Sequence, residues 1–260
     1  MPDRMNTIKF LGTAGARFVV MKQLRASGGI WLSLDGTQVL IDPGPGSLLH
    51  CLSSRPKLNP QELDGIILTH RHLDHSNDIN IMIEAMTNGG FHRKGIVFAP
   101  SDALENDPVV LHYARKQVDH VKVLTEKGQY RVGTISFETP IRFKHGVETY
   151  GITLRGKTNS VSLITDTDFF PGLASYFTGD ILIVNVVMLE EKSNIEHLCL
   201  HEAEQIITQS KPRLAILTHF GMGMVKAKPW EIAETLSRKL GIHVIAARDG
   251  MQIDMNQYTK

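Results

Sequence analysis

The sequence predicts an α/β fold in which layered β-sheets are covered by helices on the outside. Short apolar segments bounded by turn residues recur throughout the 260 residues, which is typical of many short strands. In the last third of the chain these strands alternate with helical patterns. Because we find no internal repeat, low-complexity segment or linker, we expect residues 1–260 to form a single domain.

In the first half of the chain, turn residues separate the predicted strands. Asp35-Gly36 is a typical hairpin turn between two of them. Asn59 followed by Pro60 predicts the start of a helix, and Ser101 is expected to cap a helix that begins near Ala103. The predicted strands are residues 8–11, 30–34, 39–41, 65–68, 96–100 and 121–124, and a helical pattern covers residues 79–86.

The second half continues with short strands and then changes to α/β alternation. Pro229 suits the first position of a helix, because its missing N–H would be unpaired there. Gly241 is expected to end that helix, and Asp249-Gly250 is expected to be a turn before a final strand. The predicted strands are residues 130–132, 134–137, 151–154, 161–164, 181–184, 214–217 and 244–247, and the helices are residues 200–209 and 229–240.

Composition and charge exclude several classes of protein. Hydrophobic residues make up 42% of the chain and charged residues 21%, as in an ordinary globular protein. A net charge of +1 argues against a strong overall field for nucleic acid. Cys51 and Cys199 cannot build a disulfide framework. No targeting segment follows Met1–Arg4 and no long apolar run exists, so we expect a cytoplasmic protein without a membrane partner.

The most informative segment is a cluster of histidines that follows the predicted strand 65–68. His70, His72, Asp74 and His75 form the pattern H-x-H-x-D-H. Neutral imidazoles and carboxylates are the ligands that zinc, iron and manganese take. Sites in α/β folds are commonly built just beyond the carboxyl ends of strands. We therefore expect a metal site here rather than a polar surface turn.

Further ligands must come from other strand ends, because this cluster supplies only part of two metal shells. His145 precedes the predicted strand 151–154, Asp166 follows strand 161–164, and His219 follows strand 214–217. Each residue alone would pass as an ordinary surface histidine or turn aspartate. Together with the cluster, and in this order, they favour a shared metal site.

These residues resemble the ligand pattern of the metallo-β-lactamase superfamily of metallo-hydrolases, over nearly the whole chain. The resemblance implies a four-layer αββα sandwich with two sheets packed face to face. It implies one metal held by His70, His72 and His145, a second held by Asp74, His75 and His219, and Asp166 as the bridging ligand. Asp42 would support a ligand or the loop, or simply cap a turn. Zinc suits this ligand set, and Mn²⁺ or Fe²⁺ are compatible with it.

Two such cations would generate a bridging hydroxide that attacks phosphorus or a carbonyl carbon. We assign Asp74 a catalytic role as well as a ligand role. His197 resembles the histidine that phosphodiesterase members carry between the bridging aspartate and the last ligand, where it would protonate the leaving group. His201 is the alternative, or neither histidine takes part.

The opening Gly12-Thr13-Ala14-Gly15 is similar to that of the phosphodiesterase branch. Residues 145–151 and Thr165-Asp166-Thr167 resemble segments of its tRNA 3′-processing nuclease, with Thr165 in place of a glycine. However, the residues between His145 and Asp166, 146–165, leave no room for that nuclease's long tRNA-binding arm. We therefore expect a phosphodiesterase for a small cyclic phosphate, a cyclic nucleotide or short RNA.

Other activities and features stay open. A tRNA 3′-processing endonuclease, or a thioesterase or lactonase of the glyoxalase II type, are the alternative enzymes, and a non-catalytic relative is a third class. Members of the family are often dimers, so a homodimer is compatible with the resemblance. Arg17, Lys22 and Arg25, in the first long loop, could contact phosphate or carry ordinary solvated charge. Residues 221–224, after His219, could line the substrate cleft or turn the chain.

Overall fold

The computed structural model describes residues 5–258, and its strands form two sheets. Met1–Arg4, which were considered for a targeting segment, lie outside the described residues. The strands are β1 Thr7–Phe10, β2 Ile30–Leu34, β3 Thr37–Ile41, β4 Gly65–Ile67, β5 Ile96–Ala99, β6 His120–Val123, β7 Gly128–Val132, β8 Ile135–Thr139, β9 Ile152–Arg155, β10 Ser160–Ile164, β11 Ile181–Asn185, β12 Leu214–Thr218, β13 His243–Ala246 and β14 Gln252–Asp254.

Helices and single 3₁₀ turns connect the strands. The α-helices are α1 Ala16–Met21, α2 Ser47–Ser53, α3 Leu73–Ser76, α4 Ile79–Met86, α5 His112–Arg115, α6 Leu200–Ser210, α7 Met222–Lys226 and α8 Pro229–Leu240. The 3₁₀ turns are Pro60–Glu62, Ser101–Ala103, Leu173–Tyr176 and Met255–Tyr258. Within residues 5–258, no helix has the length and apolar character needed to cross a membrane.

Each sheet has seven strands, and the two sheets share one topology. The first has the order β14-β1-β2-β3-β4-β5-β6 and the second β13-β12-β11-β10-β9-β8-β7. In each sheet an antiparallel half adjoins three parallel pairings, β3 to β6 in the first and β10 to β13 in the second. The parallel strands of each sheet place their carboxyl ends at one edge, which is where a site can form.

Alternation of side chains along the strands explains the four layers. In β11, Ile181 and Ile183 face the core between the sheets, whereas Leu182 and Val184 pack under α6 and α8. The first sheet is covered in the same way, since Leu40 packs with residues of α2 and α4. These apolar faces confirm the αββα sandwich that the sequence resemblance implied.

Most predicted strands and the longer helices lie where the sequence placed them, but local predictions failed at several short elements. Ser101 does not cap a helix, because Pro100 occupies the cap position and the hydroxyl of Ser101 donates instead to Glu148. Only a 3₁₀ turn follows Asn59, whose side chain accepts from the N–H of Gln61. Residues 221–224, left open as cleft or turn, contribute to helix α7, which buries Met224.

Candidate metal centre

The predicted metal-binding residues meet at the edge where the parallel strands of both sheets end. His70 follows β4, Asp166 follows β10 and His219 follows β12. His72 and the short helix α3 continue from the same loop, and His145 enters from the segment between β8 and β9. Chain segments far apart in sequence therefore converge because each sheet ends there.

Three histidines form the first group of this centre. His70 is fully buried, and His72 and His145 are partly buried. Nε2 of His145 lies 3.1 Å from Nδ1 of His72. One nitrogen from each of the three rings lies within 4.8 Å of the others, a spacing suited to a common metal ion.

Two carboxylates and two histidines form the second group: Asp74, His75, Asp166 and His219. Nε2 of His219 lies 3.5 Å from Oδ2 of Asp74 and 3.4 Å from Oδ2 of Asp166. Nε2 of His75 lies 3.4 Å from the same Asp166 oxygen. Asp166 and His75 are buried, while Asp74 is partly exposed at the mouth of the site.

The carboxylate of Asp166 lies between the two groups. Its Oδ2 is 3.8 Å from Nε2 of His70, in the first group, and 3.4 Å from both His75 and His219 in the second. Nδ1 of His197 approaches the same oxygen at 3.6 Å. A single carboxylate oxygen therefore faces imidazoles from both groups, as a shared ligand would.

The imidazole nitrogens that face this space fit a metal. Nε2 of His70, His75 and His219 are buried without a hydrogen-bond partner within the described chain. The opposite ring nitrogen of His75 faces Oδ2 of Asp42 at 3.0 Å, and that of His70 faces the Thr69 hydroxyl at 3.1 Å. Such outer partners hold the proton on Nδ1 and leave the Nε2 lone pair for a cation.

His145 is oriented in the same way by the backbone. Its Nδ1 donates to the carbonyl oxygen of Glu196 at 3.1 Å, so its Nε2 faces His72 with a free lone pair. The donor set of nitrogens and carboxylate oxygens matches the ligands that zinc takes. Buried polar atoms that lack partners are rare in native proteins, and a cation would satisfy them here.

Burial and charge shift the pKa values of the candidate ligand side chains in opposite directions. Burial holds the pKa of His70 well below its ordinary value, with a further lowering by His75. Burial also acts to lower the pKa of His75, but Asp74 and Asp166 raise it well above its ordinary value. The carboxylates thus create a negative environment that attracts positive charge, while the neutral form of His70 is the form that binds metals.

The backbone around the centre is held in unusual conformations. Asp42 and His219 adopt the left-handed region, with φ of 51° and 59°. Residues other than glycine rarely do so, and when they do the conformation is commonly found at functional sites. The N–H and hydroxyl of Thr69 donate to Asp42 at 2.7 Å each, which stabilises this loop.

The two histidines proposed as the acid differ in position. His197 lies directly before α6 and contacts Asp166, and 19% of its side chain is exposed. His201 is exposed on α6, where its Nε2 pairs with Gln205 at 2.8 Å. Burial lowers the pKa of His197 from its ordinary value, and the Asp166 carboxylate acts in the opposite direction. The geometry therefore favours His197 over His201.

Sequence reasoning missed several residues that support the centre. Thr69 hydrogen-bonds His70, Asn185 hydrogen-bonds Asp166, and the carbonyl oxygen of Glu196 accepts from His145. Their signal in the sequence was only their place at strand ends or near the candidate ligands.

Arg25, a candidate phosphate contact in the sequence, bonds within the protein. It stacks over the ring of Phe220 and donates to the hydroxyl of Thr13 at 2.9 Å, so it links two loops near the site.

Fold and site together are those of a metal-dependent hydrolase, and comparison with known proteins identifies the family. The family model described as the beta-lactamase superfamily domain matches residues 37–220. An uncharacterized protein of Methanocaldococcus jannaschii is 30% identical over 260 residues, covering 95% of this chain and 94% of its own. A ribonuclease Z of Methanopyrus kandleri is 24% identical over 285 residues, covering 96% and 98%.

Solved structures show the same fold. The metallo-β-lactamase fold protein YhfI of Bacillus subtilis matches with a TM-score of 0.77 and 17% identity, over 96% of this chain and 99% of its own. A diphosphatase from the PhnP family matches with a TM-score of 0.69 and 21% identity, over 96% and 97%. The chain belongs to the metallo-β-lactamase superfamily of metal-dependent hydrolases.

Proposed function

We propose that this protein is a phosphodiesterase that uses two divalent cations to cleave a small cyclic phosphate, a cyclic nucleotide or short RNA. The observation that carries this proposal is the position of Asp166, whose Oδ2 lies 3.4–3.8 Å from His70, His75 and His219. Such a shared carboxylate is expected where two cations lie about 3.5–4 Å apart.

The proposed ligands follow the two groups of the centre. His70, His72 and His145 would hold one cation; Asp74, His75 and His219 would hold the other; Asp166 would contact both. Zinc suits the nitrogen-rich donor set, and Mn²⁺ or Fe²⁺ are compatible with it. When bound, two cations would lower the pKa of a coordinated water molecule to near neutrality, and they would neutralise charge on the substrate oxygens.

The protein's own side chains would orient the substrate and supply a proton. Asp74 is partly exposed at the mouth, and we propose that it acts catalytically as well as binding a cation. His197 is the accessible imidazole next to Asp166, and we propose that its ring N–H hydrogen-bonds the leaving oxygen. Asp42 and Glu196 hold His75 and His145 in the rotamers that face the centre.

The relatives support cleavage of a bond between phosphorus and oxygen. One is a ribonuclease Z, and a structure of the same fold is a diphosphatase. The ribonuclease Z also favours cleavage of RNA, as by a tRNA 3′-processing endonuclease, as a second candidate. However, the described residues 146–165 form a short segment before β9, the strands β9 and β10, and the turn between them, so an arm like that of the tRNA nuclease is lacking between His145 and Asp166.

Hydrolysis of bis(p-nitrophenyl) phosphate tests the proposal. The chelator-treated protein is reloaded separately with zinc and manganese, and the bound metal is counted. We expect a metal-dependent rate that the substitution His72→Ala abolishes. His92→Ala is the control, because His92 is an exposed histidine outside the centre, and it should leave the rate unchanged. Two bound equivalents without any rate would contradict the phosphodiesterase and direct the search to thioesters and lactones.

A further inference from the structure

Two buried side chains at the base of the centre belong to neither ligand group. Thr165 directly precedes Asp166 and is fully buried, and Asn185 ends β11 with 6% exposure. The hydroxyl of Thr165 lies 3.3 Å from the Asn185 amide nitrogen that bonds the proposed bridging carboxylate. Its contacts indicate what that hydroxyl does.

The two side chains complete a continuous series of hydrogen bonds across the base of the site. The Asn185 amide nitrogen donates to Oδ1 of Asp166 at 2.8 Å and contacts the Thr165 hydroxyl at 3.3 Å. The Thr165 hydroxyl lies 3.3 Å from that of Thr69. Thr69 in turn donates to Oδ2 of Asp42 at 2.7 Å. The series therefore runs from Asp42 to Asp166.

The number of available protons fixes the direction of these bonds. Thr69 has one hydroxyl proton, and the Asp42 carboxylate, as the stronger acceptor, takes it. The Thr165 hydroxyl must then donate to Thr69 and accept from Asn185. The second amide proton of Asn185 goes to Asp166. Every donor in the series is used, so no member can rotate without leaving a buried group unpaired.

The series joins the two sheets and both ligand groups. Asp42 and Thr69 follow strands of the first sheet, whereas Thr165 and Asn185 belong to the second. Asp42 orients His75, and Thr69 orients His70. Asn185 occupies Oδ1 of Asp166, which leaves Oδ2 to face the imidazoles. One buried network thus sets the relative position of three proposed ligands.

We infer that Thr165 and Asn185 are positioning residues that fix the Asp166 carboxylate relative to the histidines and so set the affinity for both cations. This inference rests on the proposed function, since it concerns the same centre. Outer partners of metal ligands contribute about 10- to 100-fold to metal affinity. Thr165 acts through Thr69 and Asn185 and touches no substrate.

Zinc binding by the full-length protein tests the inference. Zinc affinity is measured by competition with a chromophoric chelator, for each equivalent bound, together with the zinc-induced rise in Tm. Thr165→Val keeps the shape but removes the hydroxyl, and we expect it to bind zinc about 10- to 100-fold more weakly. Thr165→Ser, which restores the hydroxyl, is expected to regain most of the affinity.

A matched control separates positioning from general loosening of the fold. Thr153 is also fully buried in the second sheet, but it lies outside the centre. Its hydroxyl forms a hydrogen bond of 2.9 Å with the hydroxyl of Ser162. We expect Thr153→Val to lower the Tm but to bind zinc like the wild type. Equal losses of zinc affinity in Thr153→Val and Thr165→Val would overturn the inference.

Asn185→Ala provides a second test should Thr165→Val fail to fold, with Asn159→Ala as its control. Asn159 is 2% exposed and bonds Asn6 and the Met255 carbonyl, outside the centre. We expect weaker zinc binding only in Asn185→Ala. Unchanged zinc affinity in that variant, with wild-type protein that does bind zinc, overturns this inference alone. Wild-type protein that binds none of zinc, manganese and Fe²⁺ overturns the proposed function as well.

Discussion

His75 is held between two carboxylates: its Nδ1 lies 3.0 Å from Oδ2 of Asp42 and its Nε2 lies 3.4 Å from Oδ2 of Asp166. Asp42 also accepts hydrogen bonds from the N–H and the hydroxyl of Thr69. One side chain from the end of β3 therefore fixes the position of the loop after β4. The ring plane of His75 is thereby fixed before any cation enters, which is the preorganisation that a metal site needs.

Replacing Asp42 by asparagine should weaken zinc binding by about 10- to 100-fold. Asparagine has nearly the same volume and tolerates the left-handed backbone found at this position, so the main change is loss of the carboxylate. Its single amide oxygen cannot replace both carboxylate oxygens, so either the Thr69 N–H or the Thr69 hydroxyl and His75 would face an amide N–H instead of an acceptor. Zinc affinity by chelator competition measures the effect.

Asp64→Asn serves as the control for this substitution. Asp64 accepts the backbone N–H of Gln38 at 2.8 Å in the same sheet but contacts no ligand of the centre. We expect it to alter thermal stability without altering zinc affinity. If Asp42→Asn bound zinc as tightly as Asp64→Asn, the role of Asp42 in orienting His75 would be wrong.

Removing His197 should affect poor leaving groups more than good ones. p-Nitrophenolate leaves without a proton, whereas the alkoxide of a dinucleotide needs one. We expect His197→Ala to lower kcat about 10²- to 10⁴-fold for the dinucleotide and far less for bis(p-nitrophenyl) phosphate. Paired kinetics on the two substrates, at equal metal content, measure the difference.

His201→Ala is the matched control, because His201 lies on α6 but is exposed and pairs with Gln205. It should leave both rates unchanged. Equal losses on both substrates in His197→Ala would show that His197 positions the centre instead of supplying a proton.

Stability at low pH should depend on Glu148, which joins the segment after His145 to the end of β5. Burial acts to raise the pKa of Glu148, but hydrogen bonds from Ser101, Tyr150 and the Asp102 N–H outweigh it and lower the pKa overall. The ionised carboxylate is therefore stabilised by folding. Its contribution is present above the unfolded-state pKa of about 4.3 and is lost as the pH falls through the lower folded-state value.

Glu148→Gln should accordingly lower the free energy of unfolding at pH 7 by about 1 kcal/mol, since solvent screens this partly exposed group. The difference from wild type should shrink as the pH falls below about 4. Urea denaturation across this range measures it, with Glu138→Gln, at a partly exposed ion pair with Arg155, as the control. A difference that grew towards low pH would contradict the sign argued here.

The sequence was informative where residue type and strand position coincide. The H-x-H-x-D-H cluster, Asp166 and His219 each follow a strand end, and strand ends could be predicted from apolar segments bounded by turns. His145 is the exception, since it lies in the segment between β8 and β9. Because both sheets end at one edge, these residues meet. The covered sheets were predictable for a related reason, since continuous apolar segments are typical of strands buried on both faces, whereas the αββα arrangement came from the family resemblance.

The remaining parts depend on contacts that no local pattern encodes. Thr69 and Thr165 touch across 96 residues, and a threonine after an apolar strand is ordinary in sequence. The role of Asn185 likewise follows only from the structure, in which the end of β11 places its amide against the Asp166 carboxylate. Helices α1 and α7 are short, and such helices form through packing against the rest of the protein more than through their own propensity.

Gly15 should be intolerant of a side chain because the chain passes directly against His219 there. A Cβ at Gly15 would overlap the His219 carbonyl and lie 2.8 Å from its ring Cδ2. The backbone at Gly15 is ordinary, with φ of −125°, so an alanine would be costly for steric reasons alone. The strand bridge from Ala14 to Phe220, and the bond from the Gly15 N–H to the Phe220 carbonyl, prevent the two segments from separating.

We expect Gly15→Ala to lower the free energy of unfolding by about 1–3 kcal/mol and to displace His219, so that the affinity for one cation falls. Gly223→Ala, on α7, is the control, since its Cβ would make an ordinary 3.4 Å contact with Leu189. That change should be neutral or stabilising, by up to about 1 kcal/mol, because alanine is the better helix former. Urea denaturation and zinc titration of both variants measure these effects. Wild-type behaviour of Gly15→Ala would mean that the two segments can move apart, and that His219 is not held by this contact.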